Sequence, residues 1–374
     1  GVLGAVAAGL SSFALTPGST IYVITDALSD DDYTDIETVL QISSYWKATI
    51  NFLYTPEIVT CDYDLQNPGF RAYEEIANRL GGMAWRIDDK YMVFDVLYKY
   101  MHSIIYKSQL MLTLDRDECE NGVWRDIHIE KNSYHLVFIT RGSNFTLEII
   151  GPSGETPSSY VIIEEGQFSV QKIPDGPAGV YHIRTHTTDP TTACSVRAYQ
   201  THDQELPTDA PTEAFWAVTL GLNTDNGLMQ PLAGVDNHPM FHVKNGDYLE
   251  YNGLDDGRYV GYEDYDRSFA FLNMYAVREG VEQEVYASSG LYRDGCTFNF
   301  YFPSFRCRPN EILHYEFRLR SEVGLYIQRG GVMACSHREW EQSTLPTSPT
   351  THSPTTAPPI PSGQGVYCDC GVDK

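Results

Sequence analysis

One short run limits the folds open to this 374-residue chain. Residues 21–25 are β-favouring and almost wholly apolar, and Asp26 follows them directly, ahead of an acidic loop. Such residues without polar alternation predict a strand covered on both faces, as in a parallel sheet flanked by helices. Open α/β sheets bind ligands at the carboxyl ends of their strands. Asp26 is therefore the first candidate site residue.

The first 107 residues alternate between helical and strand patterns. Helical patterns cover 1–15, 34–46, 70–80 and 91–105, and strand patterns cover 21–25, 48–54 and 83–87. Residues 1–15 could also pass for the core of a signal peptide, but they lack a basic leader, which favours a core helix. Alternation of this kind predicts a doubly wound parallel sheet, of which these residues supply half.

The pattern changes after residue 107. Short runs rich in Val, Ile, Phe and Tyr, separated by turn clusters, predict a β-sandwich at 108–203 and a second β-rich sandwich domain at 213–338. Residues 343–362 are mostly Ser, Thr and Pro, which predicts a disordered stalk that carries O-linked sugar. Residues 366–374 are interpreted as the start of a truncated cysteine-rich module, and the chain as a piece of a longer protein.

Charge and cysteine content indicate the compartment and the partners. The net charge of −24 argues against nucleic acid or an anionic membrane as the main partner. Eight cysteines without a paired C-x-x-C pattern favour disulfides in an oxidising compartment. Cys119 with Cys194 is a candidate pair, Cys296 and Cys307 could close one loop or Cys335 could pair with either of them, and Cys61 is a candidate buried free thiol. Asn144 begins a glycosylation sequon, and no apolar run is long enough to span a membrane.

The residues around Asp26 also resemble a known family. Thr-Asp-Ala at 25–27, the acidic loop at 30–32 and the stretch PGFRAYEEIA at 68–77 are similar to the von Willebrand factor A domain of hemicentin-like extracellular matrix proteins. Residues 147–154 and 177–181 look like the galactose-binding-like domain that follows in those proteins. The resemblance covers 1–107 well and the later residues more weakly.

This resemblance implies an adhesion site that holds Mg²⁺ or Ca²⁺ through side chains from three loops. Asp26 matches the aspartate of the third loop, and the first two loops would lie before Gly1. Hard cations prefer carboxylate, hydroxyl and water oxygens, and an open position accepts a carboxylate from a partner. We expect metal assistance in the full-length parent and weak or absent metal binding in this chain alone.

Each candidate has a simpler interpretation. Asp26 is also suited to a turn or a helix cap, and the triplet at 30–32 to a solvated loop rather than a calcium patch. His182, His186 and His202 are expected to point to solvent along a strand and its exit rather than to ligate a metal. Tyr259 and Tyr262, in an acidic loop rich in tyrosine, are candidate platforms for a glycan or a protein, although tyrosine is common on sandwich surfaces.

The function predicted from these observations is that of a secreted adhesion or matrix protein that binds protein or matrix ligands. A lectin-like glycan-binding protein is the first alternative, and a secreted hydrolase is the second. The sequence contains no G-x-S-x-G elbow, H-E-x-x-H motif or phosphate-binding Gly-rich loop, so we nominate no catalytic residue and expect no enzyme activity.

Overall fold

The structure is a computed structural model that describes residues 1–12, 15, 18–29, 33–56, 67–89, 91–101, 108–116, 119, 122, 124–130, 133–165, 167–174, 176–189, 193–202, 213–221, 228, 230–244, 269–278, 281–292, 299–320 and 326–339. Several predictions of the sequence lie outside the described residues: those for 30–32, Cys61, Tyr259, Tyr262, Cys296, 343–362 and 366–374.

The first part of the chain is a three-stranded parallel sheet with helices. In chain order it contains α1 (Val2–Ser12), β1 (Thr20–Thr25), α2 (Tyr33–Trp46), β2 (Thr49–Tyr54), α3 (Pro68–Arg79) and β3 (Ala84–Arg86), and the strand order is β1-β2-β3. Helix α3 begins two residues before its predicted start, because Asn67 caps it by accepting a hydrogen bond from the Gly69 N–H and proline occupies the first turn.

Helices α1, α2 and α3 all pack on one face of this sheet. Ile50, Phe52 and Tyr54 of β2 contact them, whereas Leu53 points to the opposite face. Helices α2 and α3 connect the three parallel strands in sequential order. Strand β1 differs from the prediction of a strand buried on both faces: it pairs only with β2 among the described strands, and Ile24 is 48% exposed.

The predicted helix at 91–105 is split within its described part. A short α-helix, α4 (Met92–Asp95), continues as a π-helix (Val96–Met101). Buried Val96 and partly buried residues beside it cover the second face of the parallel sheet, while the aromatic rings of Phe94 and Tyr98 are exposed.

The second part of the chain is a sandwich of two antiparallel sheets. Its strands are β4 (Ser108–Arg116), β5 (Trp124–Ile129), β6 (Ser133–Arg141), β7 (Phe145–Ile150), β8 (Tyr160–Glu165), β9 (Phe168–Pro174), β10 (Gly179–Thr187) and β11 (Cys194–His202). The sheet order is β5-β10-β7 in one layer and β4-β11-β6-β9-β8 in the other. A disulfide joins Cys119 to Cys194, as predicted.

The third part is a second sandwich of two four-stranded sheets. Its strands are β12 (Glu213–Thr219), β13 (His238–Lys244), β14 (Phe269–Arg278), β15 (Val281–Ser289), β16 (Leu291–Tyr292), β17 (Asn299–Tyr301), β18 (Ile312–Arg320) and β19 (Tyr326–Ala334), ordered β12-β13-β17-β16 and β15-β14-β18-β19. The two layers enclose an aromatic core in which Phe241 stacks on Phe317 at 4.5 Å. Of the two pairings left open for Cys335, the structure contains the bond to Cys307.

The three parts pack directly on one another. The second face of the parallel sheet lies against β6, β8 and β9 of the first sandwich, and one apolar cluster runs across this boundary. Strand β19 lies on β4, so closely that a Cβ on Gly330 would come within 2.5 Å of the Met111 carbonyl oxygen. Only glycine permits this approach of the two sandwiches.

Candidate functional site

The candidate site is the carboxyl edge of the parallel sheet, where β1, β2 and β3 end. The loop after β1 is fixed there by hydrogen bonds. The Thr55 N–H donates to the Thr25 carbonyl at 2.9 Å, and the Tyr73 hydroxyl donates to the Ala27 carbonyl at 3.0 Å. A Cβ on Gly69 would lie 2.4 Å from the Ser29 carbonyl oxygen, so the loop also rests on the start of α3.

Asp26 lies exposed at a bend directly after β1, in the position that the sequence predicts for it. Because Thr25 Oγ1 accepts a bond from the Ala27 N–H at 3.1 Å, the turn that carries Asp26 has a defined backbone. Within the described ranges, no group of three or more His, Cys, Asp or Glu side chains converges to hold a metal ion. A hard cation takes about six or more oxygen ligands, so these described residues do not form a cage by themselves.

A pocket of about 270 Å³ opens further along the same edge, beside the end of β3. It lies between the α/β part and the first sandwich, and its described lining residues are Phe70, Trp85, Arg86, Asp88, Arg141, Gln167 and Phe168. The Trp85 and Phe168 rings lie 4.5 Å apart and form its apolar wall.

The charged groups of this pocket are already paired within the protein. Arg86 Nε donates to Asp88 Oδ1 at 2.7 Å, and Arg141 forms an ion pair with Glu74 of α3. The Arg141 guanidinium also lies 6.0 Å from the Phe70 ring centroid. A ligand here meets paired guanidinium groups and aromatic faces, a surface suited to a polar group of a protein or sugar.

The other predicted site residues do not gather at this edge. Asn144 is exposed in the turn between β6 and β7, with φ of 50°, a left-handed conformation that asparagine tolerates. On β10, His182 is exposed and His186 is partly exposed, and they pair separately with Asp126 at 2.6 Å and with Glu148 at 3.0 Å. Tyr259 and Tyr262 lie outside the described residues.

Sequence reasoning missed a buried polar centre where all three parts meet. Arg197 of β11 is fully buried, and its guanidinium bonds both Asp115 oxygens at 2.8 and 2.7 Å and the Gly81 and Gly82 carbonyls beyond α3. His314 of β18 completes this centre, with Nε2 3.8 Å from Asp115 Oδ2. Nothing in the local pattern marks these residues, since the three side chains come from distant strands.

Together these features define a class: a multi-part, β-rich protein whose leading α/β layer carries the candidate site at its carboxyl edge. Among the described residues no helix combines the length and apolarity needed to cross a membrane. No protein-family model matches the sequence.

Relatives with known names give a more specific comparison. The sequence is 31% identical over 385 residues to Protein irg-7 of Caenorhabditis elegans, a match that covers 98% of this chain and 16% of that protein. It is 33% identical over 137 residues to hemicentin-1 of Mus musculus, covering 37% of this chain and 2% of that protein. Hemicentin-2 of Mus musculus is 29% identical over 160 residues, covering 42% of this chain and 3% of that protein.

These matches confirm a hemicentin-like relation over part of the chain, and the chain spans a small share of the length of each relative. A solved structure of translation elongation factor SelB from Methanococcus maripaludis covers 91% of this chain and 70% of that chain at 9% identity. Its TM-score of 0.17 is too low to support an argument.

Proposed function

We propose that this chain is part of an extracellular adhesion or matrix protein and that it binds protein or matrix ligands rather than catalysing a reaction. The observation that carries the proposal is the 33% identity to hemicentin-1 over 137 residues. Two further features support it. The disulfides Cys119–Cys194 and Cys307–Cys335 suit an oxidising compartment, and Asn144 is exposed as a glycosylated residue must be.

Under this proposal the α/β part is the carboxyl half of a von Willebrand factor A domain. Three parallel strands in sequential order, with helices on one face, are what such a half would contain. The unpaired side of β1 among the described strands is where a preceding half would attach. Asp26 would then be one of several ligands of a Mg²⁺ or Ca²⁺ ion whose other ligands come from that half.

Ligand binding is tested with the whole chain immobilised on a biosensor and purified laminin, fibronectin and collagen as analytes. We expect saturable binding of at least one of them. Denatured chain with reduced disulfides is the control for non-specific adsorption. Binding to none of these proteins, together with specific binding on a glycan array, would replace the proposal with the lectin-like alternative.

The metal part of the proposal is tested by calorimetric titration of the chain with Mg²⁺ and with Ca²⁺. Because a single exposed carboxylate is a poor site, we expect no saturable heat at micromolar metal, and no difference between the natural chain and Asp26→Asn. Free energies of unfolding of the two chains should agree within about 0.5 kcal/mol. Micromolar affinity for Mg²⁺ or Ca²⁺ that Asp26→Asn abolishes would show that this chain holds a complete metal site. It would contradict the proposal that the other metal ligands come from a preceding half of the domain.

A further inference from the structure

A second cavity lies at the opposite end of the parallel sheet, where the α/β part meets the second sandwich. It has a volume of about 190 Å³. On one side it is lined by the last turns of helices α2 and α3 and by Thr49 at the start of β2. Strands β12, β18 and β19 line the opposite side. The cavity therefore joins segments that are far apart in the sequence, and it is separate from the carboxyl edge described above.

Two buried polar groups in this cavity lack hydrogen-bond partners among the described residues. Arg79 is 8% exposed, and its Nη2 donates to the Cys335 carbonyl at 2.9 Å while its Nη1 bonds Asn310. Its Nε has no hydrogen-bond partner among the described residues, and neither has the hydroxyl of fully buried Ser43. An unsatisfied buried donor destabilises a protein by roughly 1–3 kcal/mol, so two of them in one cavity indicate a missing partner.

Lys47 adds a third donor to the same cavity. Its Nζ lies 3.1 Å from the centroid of the Trp216 ring, so the indole forms one side of its surroundings. Burial lowers the pKa of Lys47 to about 7. An anion beside this amine would favour its charged form and would reverse part of that shift.

The charged residues that line the cavity indicate the sign of the charge on its ligand. The described lining residues include Lys47 and Arg79 but no Asp or Glu. The carbonyls at the ends of the two helices are already used by backbone donors, since the Ala48 N–H bonds the Ser43 carbonyl at 2.9 Å and the Gly82 N–H bonds the Ala77 carbonyl at 2.8 Å. These two carbonyls are therefore satisfied without a side-chain donor.

We propose that this cavity binds a small oxyanion such as sulfate, phosphate or a compact dicarboxylate, with Arg79 Nε–H, the Ser43 hydroxyl and Lys47 Nζ as donors and Trp216 as an apolar wall. The volume is below the roughly 300–1,000 Å³ of pockets for drug-sized ligands, which favours a compact anion. A bound anion would connect α2, α3 and β12 and would stabilise the contact of the α/β part with the second sandwich. This inference does not depend on the proposed adhesive function.

The test uses calorimetry and thermal melting of the whole chain with sulfate, phosphate and malonate, against sodium chloride at matched ionic strength. Sulfate stabilises most proteins by exclusion from their surface, so variants are needed to identify a specific site. Ser43→Ala removes one unpaired hydroxyl and should fold at least as well as the natural chain. We expect one saturable site, with the Kd raised about threefold to tenfold by Ser43→Ala and about tenfold or more by Lys47→Gln.

Lys99→Gln is the matched control, because Lys99 pairs with Asp95 on α4 and does not line the cavity. Its Kd should equal that of the natural chain. Titration with a heparin hexasaccharide distinguishes the two sources of the anion. If the hexasaccharide binds the chain and free sulfate displaces it, the ligand is a sulfate group of a glycan. If the hexasaccharide does not bind, the ligand is a free anion. Equal melting shifts in the natural chain and the Ser43→Ala/Lys47→Gln double variant, without saturable heat, would overturn the proposal.

Discussion

The first sandwich meets its two neighbours through joints of opposite chemistry. The apolar joint, between the α/β part and β6, β8 and β9, is formed mainly by buried hydrophobic side chains such as Trp85, Val96, Ile139 and Phe168. The ionic joint, between β4 and β5 and the strands β15, β18 and β19, contains Arg116, Arg125, Glu282, Glu316, Arg318 and Arg329. Glu282 accepts from Arg116 at 2.5 Å and also pairs with Arg125, and Arg329 donates to Glu130 at 2.5 Å.

The difference shows two ways of burying surface between parts of one chain. Apolar side chains need only to fit, and each contributes through the area that it removes from water. Charged side chains lose hydration on burial, so each must find a partner in the joint. The ionic joint therefore demands specific residues at specific positions, whereas the apolar joint tolerates substitutions of similar size.

The largest effect should follow from the loss of a shared carboxylate in the ionic joint. Glu282→Ala leaves Arg116 and Arg125 buried without their common partner, and the free energy of unfolding should fall by roughly 3–5 kcal/mol. Urea unfolding at neutral pH measures the change. Glu284→Ala is the control, because Glu284 lies on the same strand, is exposed and bonds only Asn273 among the described residues. Equal losses in the two variants would show that burial does not set the energetics of this joint.

The ionic joint should also respond to mild acid through His314. Burial lowers the pKa of His314, although Asp115 opposes the shift, so the folded protein resists protonation that the unfolded chain accepts below about pH 6.5. Stability is therefore full above this pH and falls as the pH decreases, by up to about 1.4 kcal/mol per pH unit. Chemical unfolding at pH 7.5, 6.5 and 5.5 measures this slope.

His314→Gln isolates this contribution. Other groups near the joint titrate as well: burial lowers the pKa of His128, which acts in the same direction, and burial raises the pKa of Glu316, which acts in the opposite one. Because both chains retain those groups, the difference between their slopes belongs to His314. Parallel slopes would mean that His314 takes up a proton as readily in the folded protein as in the unfolded chain.

The contrast between the joints also explains what the sequence predicted. Strand β6 is apolar at consecutive positions, and the structure shows why: Leu136 and Phe138 face the sandwich core, whereas Val137 and Ile139 face the α/β part. Period and composition predict such a strand, as they predicted β-sandwiches after residue 107. They do not identify what covers the second face.

The sequence did not predict other features of the structure, and the reasons are physical. Strand β13 has no clear strand pattern in the sequence, because Pro239 and two histidines interrupt its alternation. Strand β1 was predicted to be buried on both faces, but the apolar cluster on the second face of the sheet reaches only Tyr22 of this strand and leaves Ile24 48% exposed. The cavity with Ser43, Lys47 and Arg79 and the ion pairs of the ionic joint depend on tertiary contacts over long separations, which no local pattern encodes.

The smallest effect should come from the apolar joint. Ile139→Val removes one buried methylene group, and the free energy of unfolding should fall by about 0.5–1.5 kcal/mol. Val161→Ala on β8 is the control, because Val161 is 53% exposed and its loss should change stability by no more than about 0.5 kcal/mol. The Ile139→Val loss should be the same at pH 7.5 and 5.5, since no charge is involved. A loss that grows as the pH falls would mean that the apolar joint opens together with the ionic one, so that the two joints act as a single cooperative unit.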